Sequence, residues 1–263
     1  MSPNQIFAAL LAAMLLAGCG PSASKTANGS STGAGGNVGA VSGPVSKLQI
    51  TDVKVGTGPT AEPGDLLAVR YSGKLKDGTV FDTNDKPGGH AFSVMLGQGQ
   101  VIKGWDQGLV GMKVGGERKL AIPAALGYGD KPSDKIPANS DLYFDVTLLD
   151  LVKQQDQADV IVKKDQKGTG PAAKMGSKVT LDYTAWLPGN DQIDSTHKRG
   201  APVTFTLGKN EVQKSIEAAV LGMQKGGVRE VKFPPKVGFG MGGPGSVSPN
   251  SIITIRFEMK SIE

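Results

Sequence analysis

The chain has 263 residues, 38% hydrophobic and 20% charged, which is enough for two ordinary domains, each with its own core. Gly 38 and Pro 16 point to many turns and a loop-rich, mostly β construction. The net charge of +5 rests on no dense Lys/Arg run, which speaks against nucleic acid as a partner, and one cysteine excludes an intrachain disulfide.

In chain order, Ile6 to Ala17 is wholly apolar and uncharged. It is short for a membrane span and reads as the hydrophobic region of a signal peptide. It ends in Leu16-Ala17-Gly18-Cys19, which resembles the lipobox of bacterial lipoproteins. The resemblance implies a signal peptide over 1–18 and lipid attachment at Cys19, whose acyl chains would supply membrane affinity. Residues 19–46 are rich in Gly, Ser, Ala, Thr and Asn and read as a flexible tether, with a mean span of about 30 Å by random-coil scaling. These features predict an exported, membrane-anchored lipoprotein facing the periplasm or cell exterior of a bacterium.

A first domain is predicted over 47–152. Leu67, Val69 and Tyr71 alternate with Ala68 and Arg70, a strand pattern. Asp77-Gly78 suits a tight reversal before Val80-Phe81-Asp82. Phe92, Val94 and Leu96 form another alternating run. Val101, Ile102, Trp105 and Leu109 recur at helical spacing, although Gly104 and Gly108 weaken that helix and leave it dependent on packing. Lys119 to Ile122 is a strand stopped by Pro123. Leu142, Phe144, Val146 and Leu148 share one face of the last strand.

A second domain, over 153–263, repeats the first at a spacing of 112 residues early and 111 later. Gly56-Thr57-Gly58-Pro59 returns as Gly168-Thr169-Gly170-Pro171, and Gly111-Met112 to Arg118 returns as Gly222-Met223 to Arg229. The join falls near the polar stretch Lys153–Asp159. Ile253, Ile255, Phe257 and Met259 share one face of the final strand and Thr254, Arg256, Glu258 and Lys260 the other, as in a sheet with one wet side. Charge divides unevenly: 47–152 carries 12 Lys+Arg and 13 Asp+Glu, 153–263 carries 16 and 11. The basic second domain suits a solvated face or an anionic partner. Sheet packed on a short helix, twice over, makes the fold class α+β.

The ordered set Val69-Arg70-Tyr71-Ser72-Gly73, Asp77 to Asp82, Val101-Ile102-Lys103-Gly104-Trp105, Gly111-Met112, Ala125 to Gly129, Ile136-Pro137 and Leu142 to Val146 resembles the FKBP-type peptidyl-prolyl cis–trans isomerases. The resemblance implies two twisted antiparallel sheets, each wrapped on a short helix. It also implies an apolar pocket for a proline ring in the first domain. Carried over by motif, Trp105 is the floor, and Tyr71, Phe92, Val101, Ile102 and Phe144 are walls. Phe81 and Asp82 stand at one rim, with Tyr128 and Ile136 in the loop over the other. The Tyr128 hydroxyl and the Ile102 backbone N–H would bond substrate carbonyls, and Asp82 would help set the local field. Implied partners are proline-containing unfolded or nascent exported proteins and macrolide inhibitors of the family.

Rotation about an X-Pro amide breaks no σ bond, so the reaction requires no nucleophile, metal or cofactor. The histidines, His90 and His197, fall in separate repeats and read as surface-loop residues, and there is no Cys/His cluster for zinc. Gly97-Gln98-Gly99 is no dinucleotide fingerprint. In the second repeat Trp105 becomes Ile216, Ile102 Gln213, Phe92 Val203, Phe81 Ile193, Phe144 Ile255 and Tyr128 Phe239, whereas Tyr183 and Asp194 match Tyr71 and Asp82. The second domain is therefore expected to be a weak or inactive isomerase. A different class of function stays open beside catalysis: a tethered chaperone or binding module that grips unfolded segments.

Overall fold

The computed structural model describes residues 45–238, 240, 247–248 and 250–263. The predicted signal peptide, most of the tether, Cys19 and Phe239 lie outside the described residues.

Alternation becomes sheet as the sequence predicts. In chain order the first half forms β1 (Gln49–Lys54), β2 (Leu66–Lys74), β3 (Val80–Thr83), β4 (Phe92–Met95), helix α1 (Lys103–Gly108), β5 (Glu117–Ile122) and β6 (Leu142–Val152). The sheet runs β1-β5-β6-β2-β3, with β4 also on β2, and its pairings are antiparallel. The central pair is β2 on β6, from Leu66 opposite Val152 to Lys74 opposite Tyr143. Leu67 and Val69 of β2, Leu142, Phe144, Val146 and Leu148 of β6, and Trp105 and Leu109 from the helix segment are buried in one core.

The second half repeats the plan with β7 (Ile161–Gln166), β8 (Thr169–Ala172), β9 (Lys178–Leu187), β10 (Asp191–Ser195), α2 (Thr196–Arg199), β11 (Val203–Thr206), α3 (Lys214–Val220), β12 (Gln224–Lys225), β13 (Val228–Phe233) and β14 (Ile253–Ile262). Its sheet runs β10-β9-β14-β13-β7 with β11 on β9, and β12 pairs with β8 in a small ribbon. On β14, Ile253, Ile255, Phe257 and Met259 are buried, while Arg256 and Lys260 are exposed.

The helices are too short to form alone, since nucleation costs more than one or two turns return. Val101 and Ile102 precede α1 instead of belonging to it. The two glycines that weaken α1 are what seat it. A Cβ at Gly104 would lie 2.4 Å from Ile122 Cγ2, and one at Gly108 2.8 Å from Leu120 Cδ2. At the helix end, Arg118 Nη1 donates to the Gly108 carbonyl at 2.7 Å and the Val110 carbonyl at 2.9 Å. The same guanidinium donates to both Asp52 carboxylate oxygens, at 2.7 and 3.2 Å, tying β1 to β5. One buried cation thus satisfies C-terminal carbonyls, complements the helix dipole and joins two strands. Arg229 does the same for α3, donating to the Ala219 and Leu221 carbonyls and to Asp165.

The back of the first sheet is not wet throughout. Leu66, Ala68 and Val152 are buried with Ala91 and with Ile252 of the second half, and Leu149 and Ile161 pack on them. Lys232 Nζ donates across this contact to Asp150 at 2.6 Å and to the Leu151 carbonyl at 2.9 Å. The polar join is also pinned: Lys153 Nζ donates to Asp65 at 3.0 Å, and the buried Gln157 amide donates to the Gly64 carbonyl at 2.9 Å. Both repeats therefore sit against each other through an apolar seam edged by charge.

Hydrogen bonds from Arg118 and Arg229 hold the Asp52 and Asp165 carboxyls below the usual range. Such groups add stability above the unfolded carboxylate pKa of about 4 and lose it as pH falls through their lower folded values. Arg118→Ala should lower stability by about 2 kcal/mol at neutral pH, a figure reduced for the partial exposure of Asp52. Urea denaturation at pH 7 and pH 2.5 checks this: the deficit of the variant should shrink in acid.

Candidate active site

The first-half sheet curls round α1, so side chains from four elements converge. Tyr71 comes from β2, Phe81 from β3, Phe144 from β6 and Trp105 from α1. Tyr71 stands edge-on to Trp105, with centroids 5.1 Å apart and planes at 87°. Trp105 meets Phe144 at 5.3 Å and 82°, and Phe144 meets Phe81 at 5.6 Å and 89°. Phe92 of β4 completes the set at 6.0 Å from Tyr71 and 6.2 Å from Trp105. Edge-to-face pairs in this range favour one arrangement of the rings over others. Trp105, Phe81 and Phe144 are buried, whereas Phe92 is 41% exposed and leaves the cluster open on one side. Val101 and Ile102 pack on the same core from the turn before α1.

Gly73 makes the ring packing possible. It pairs with Phe144 across the sheet, and a Cβ there would lie 2.7 Å from both Phe144 Cε1 and Phe81 Cζ. In the second half the matching position is Ala185, buried beside Ile193 and Ile255. A glycine with two phenylalanines has been exchanged for an alanine with two isoleucines, a repacking that roughly conserves volume.

The polar groups sit at the rim. Asp82 is exposed, and its carboxylate accepts the Tyr71 hydroxyl at 2.6 Å. Burial, then the hydrogen bond and charge of Asp82, push the Tyr71 phenol well above the usual tyrosine range, so it stays protonated and donates to Asp82. Tyr128 is 48% exposed in the loop after the 3₁₀ turn Ala124–Leu126. That loop is closed by the Asn139 N–H on the Gly129 carbonyl at 2.7 Å and by a bridge between Ser133 and Ile136. Ile136 itself is buried in the core of the first half.

The second half keeps the polar pair and lacks rings at the positions of Trp105, Phe81, Phe144 and Phe92, while Phe233 and Phe257 pair elsewhere in its core at 6.4 Å. The Tyr183 hydroxyl donates to Asp194, and Arg199 Nη1 donates to both Asp194 oxygens at 2.9 Å. Arg199 also lies over the Tyr183 ring, 5.4 Å from its centroid. Ile216, Ile193 and Ile255 are buried where the first half has Trp105, Phe81 and Phe144.

Several features escaped the sequence reading. Gly73 matters through its contacts and not through a turn. The Gly97-Gln98-Gly99 pair serves Asp106, whose carboxylate accepts both glycine N–H groups at 2.9 Å. His90 is not a plain surface residue, because its Nδ1 is buried. Among the described residues no group of three His, Cys, Asp or Glu side chains could hold a metal ion.

A family model described as FKBP-type peptidyl-prolyl cis-trans isomerase matches residues 58–149 and again 170–260. FK506-binding protein 4 of Aspergillus fumigatus is 54% identical over 107 residues, 41% of this chain and 22% of that protein. Peptidyl-prolyl cis-trans isomerase FKBP10 of Bos taurus is 31% identical over 219 residues, 82% of this chain and 37% of that one. The chain thus spans 22% and 37% of the length of these two relatives. The crystal structure of FkpA from Escherichia coli is 40% identical, covering 41% of this chain and 49% of that one, with a TM-score of 0.38.

The ring packing yields its own test. Gly73→Ala alone should destabilise the protein by about 1–3 kcal/mol, because the methyl displaces two rings. Adding Phe81→Ile and Phe144→Ile, which copies the second half, should recover most of that loss in thermal melts.

Proposed function

The chain belongs to the FKBP-type peptidyl-prolyl cis-trans isomerases, and on that premise we propose that its first half carries the isomerase site and its second half little or none. The observation that carries this reading is the ring cluster round Tyr71 and Trp105, present once. Proline-containing peptide segments are the substrates on this reading, and macrolides of the family's kind would compete for the same pocket.

The chemistry follows from the residues. The X-Pro barrier is roughly 20 kcal/mol because amide resonance must be broken. A twisted amide has a less polar carbonyl, so an apolar wall binds it better than either planar isomer. Trp105 would lie under the proline ring, with Tyr71, Phe92, Val101, Ile102 and Phe144 round it and Phe81 supporting Phe144. The Tyr128 hydroxyl and the Ile102 backbone N–H would fix the substrate carbonyls on either side. Asp82 holds the Tyr71 hydroxyl and places a negative charge beside the rotating carbonyl. With its phenol kept protonated, Tyr71 orients and takes no part in proton transfer.

The second half supports a binding role instead. Ile216 offers less surface than an indole, and Asp194 is already engaged by Tyr183 and Arg199. Its contribution would be to hold unfolded segments and to brace the first half. The segment ending in Cys19 supports export and lipid anchoring, with clients among exported proteins whose X-Pro isomerisation takes roughly 10–100 s unaided.

In the full chain, Tyr128→Phe, Asp82→Ala and Trp105→Ile should each cut kcat/KM on a proline tetrapeptide by about tenfold or more. Tyr128→Phe is the cleanest of these, since the residue is half exposed and the fold should not change. Full activity in Trp105→Ile would show that the indole is not needed for turnover. For the anchor, Cys19→Ser should shift the protein from the membrane to the soluble fraction when it is expressed in a bacterium.

A further inference from the structure

A polar cleft of about 650 Å³ lies where the two halves meet, lined by Arg70, Asp85 and His90 from the first and Asn190, Asp191 and Gln192 from the second. Its size falls in the range of ligand sites. Two of its atoms are buried and have no hydrogen-bond partner among the described residues: His90 Nδ1 and Asp191 Oδ2. Leaving such groups unmade costs free energy, so native structures satisfy them with protein, water or ligand. The Arg70 guanidinium stands 3.7 Å from Asp191 and 3.8 Å from Asp85, close enough for charge attraction but without a hydrogen bond to either. The cleft is therefore lined, on each side of the seam, by a residue with an unmade hydrogen bond just beneath its surface, and Asp191 meets Arg70 there only as a long ion pair.

The lining also says what would fit. Its two basic side chains, Arg70 and Lys86, balance its two acidic ones, Asp85 and Asp191, so a strongly charged ligand gains little. A carboxylate oxygen without a donor wants an N–H, and an imidazole Nδ1 takes a donor or an acceptor according to tautomer. An extended polypeptide backbone supplies both, repeating along its length.

One loop borders both the cleft and the ring cluster. Residues 84–91 lie between Asp82 and Phe92 of the candidate pocket and include Asp85 and His90 of the cleft. The Asn84 side chain holds the start of the loop to β2 and to the loop's far end: it accepts the Tyr71 N–H at 2.7 Å and donates to the Val69 and His90 carbonyls at 3.0 and 2.9 Å. Arg70 and Tyr71 are neighbours on β2 and point to opposite faces of the sheet. A chain leaving the pocket past exposed Phe92 would have to cross the sheet edge to meet the cleft.

We propose that the cleft between the repeats is a subsite for the extended stretch of substrate polypeptide that flanks the proline. This rests on the pocket reading above and adds a second contact to it. Short peptides would fill the pocket alone, whereas longer chains would bind both.

The test uses the full chain, a proline tetrapeptide, and a sixteen-residue uncharged polar peptide with a central Leu-Pro. His90→Ala and Asp191→Ala are combined, neither residue belonging to the pocket. Wild type should show a lower KM for the long peptide than for the tetrapeptide. The double variant should raise the KM of the long peptide by about fivefold or more, as lost hydrogen bonds would, and leave the tetrapeptide unchanged. Equal KM for the two peptides on wild type, or a long-peptide KM unmoved by the double variant, overturns the subsite. If wild type isomerises neither peptide, the pocket reading fails. Calorimetric titration of the long peptide into both proteins then decides the cleft separately: weaker binding by the double variant upholds it, equal binding overturns it.

Discussion

Everything on the ring-bearing face depends on seating a six-residue helix that has no means of standing alone. Arg118 supplies the fixed point. Its guanidinium takes the carbonyls of Gly108 and Val110 on one side and the Asp52 carboxylate on the other. Gly104 and Gly108 then let the helix backbone press on Ile122 and Leu120, closer than any side chain would permit. Trp105 projects from this short turn, so its ring position is set by the sheet and not by helical propensity. The second half repeats the device with Arg229, Asp165 and α3 while changing what the helix presents. Scaffold and lining are therefore physically separable: the arginine fixes where the helix lies, and position 105 or 216 fixes what it offers.

The lining changes as a unit because its members touch. Phe144 can be large only where Gly73 has no Cβ, and Phe81 shares that same space. Once Ala185 occupies the strand position, the facing residues are Ile193 and Ile255. The polar pair beside them follows a different rule. Tyr71 with Asp82 and Tyr183 with Asp194 bond alike in both halves, although Tyr183 is buried and Tyr71 only partly so. Retention of the pair in a half without the rings shows that it belongs to the scaffold as much as to any chemistry.

Alternating strands and the glycine turns were legible in the sequence because they depend on residues two or four apart. The α+β class, the repeat and the order of the main strands came from that local pattern. Strands β1 and β7 were not legible, since nearly all their residues are exposed and no burial pattern marks them. Arg118 read as the tail of a turn motif, because its partners lie at Asp52 and at carbonyls that carry no side-chain signal. The ring set was legible only as an ordered resemblance. Taken one by one, Phe144 and Phe81 are core residues and Phe92 an exposed one, and only their mutual distances make a cluster. His90 and Asp191 were illegible for a plainer reason: they face a space that exists only once the two repeats dock.

That docking also bears on why a copy without the Trp105 cluster would persist. Leu66, Ala68 and Val152 form an apolar patch on the back of the first sheet, where a sheet of this kind would otherwise meet water. Ile252 and Ile161 cover it, and the nearly buried Lys232 ties Asp150 to the seam. Removing Ile252 from the patch would expose apolar surface, and removing Asp150 would strand a cation without its carboxylate. The second repeat is thus held in place by the first sheet's need for cover, whatever its own pocket can bind. Once held there, its loop at Asn190–Gln192 lies opposite the loop that borders the rings. The contacts it makes with the first half come from its outer surface and edge loops, so Ile216, Ile193 and Ile255 in its interior touch none of them.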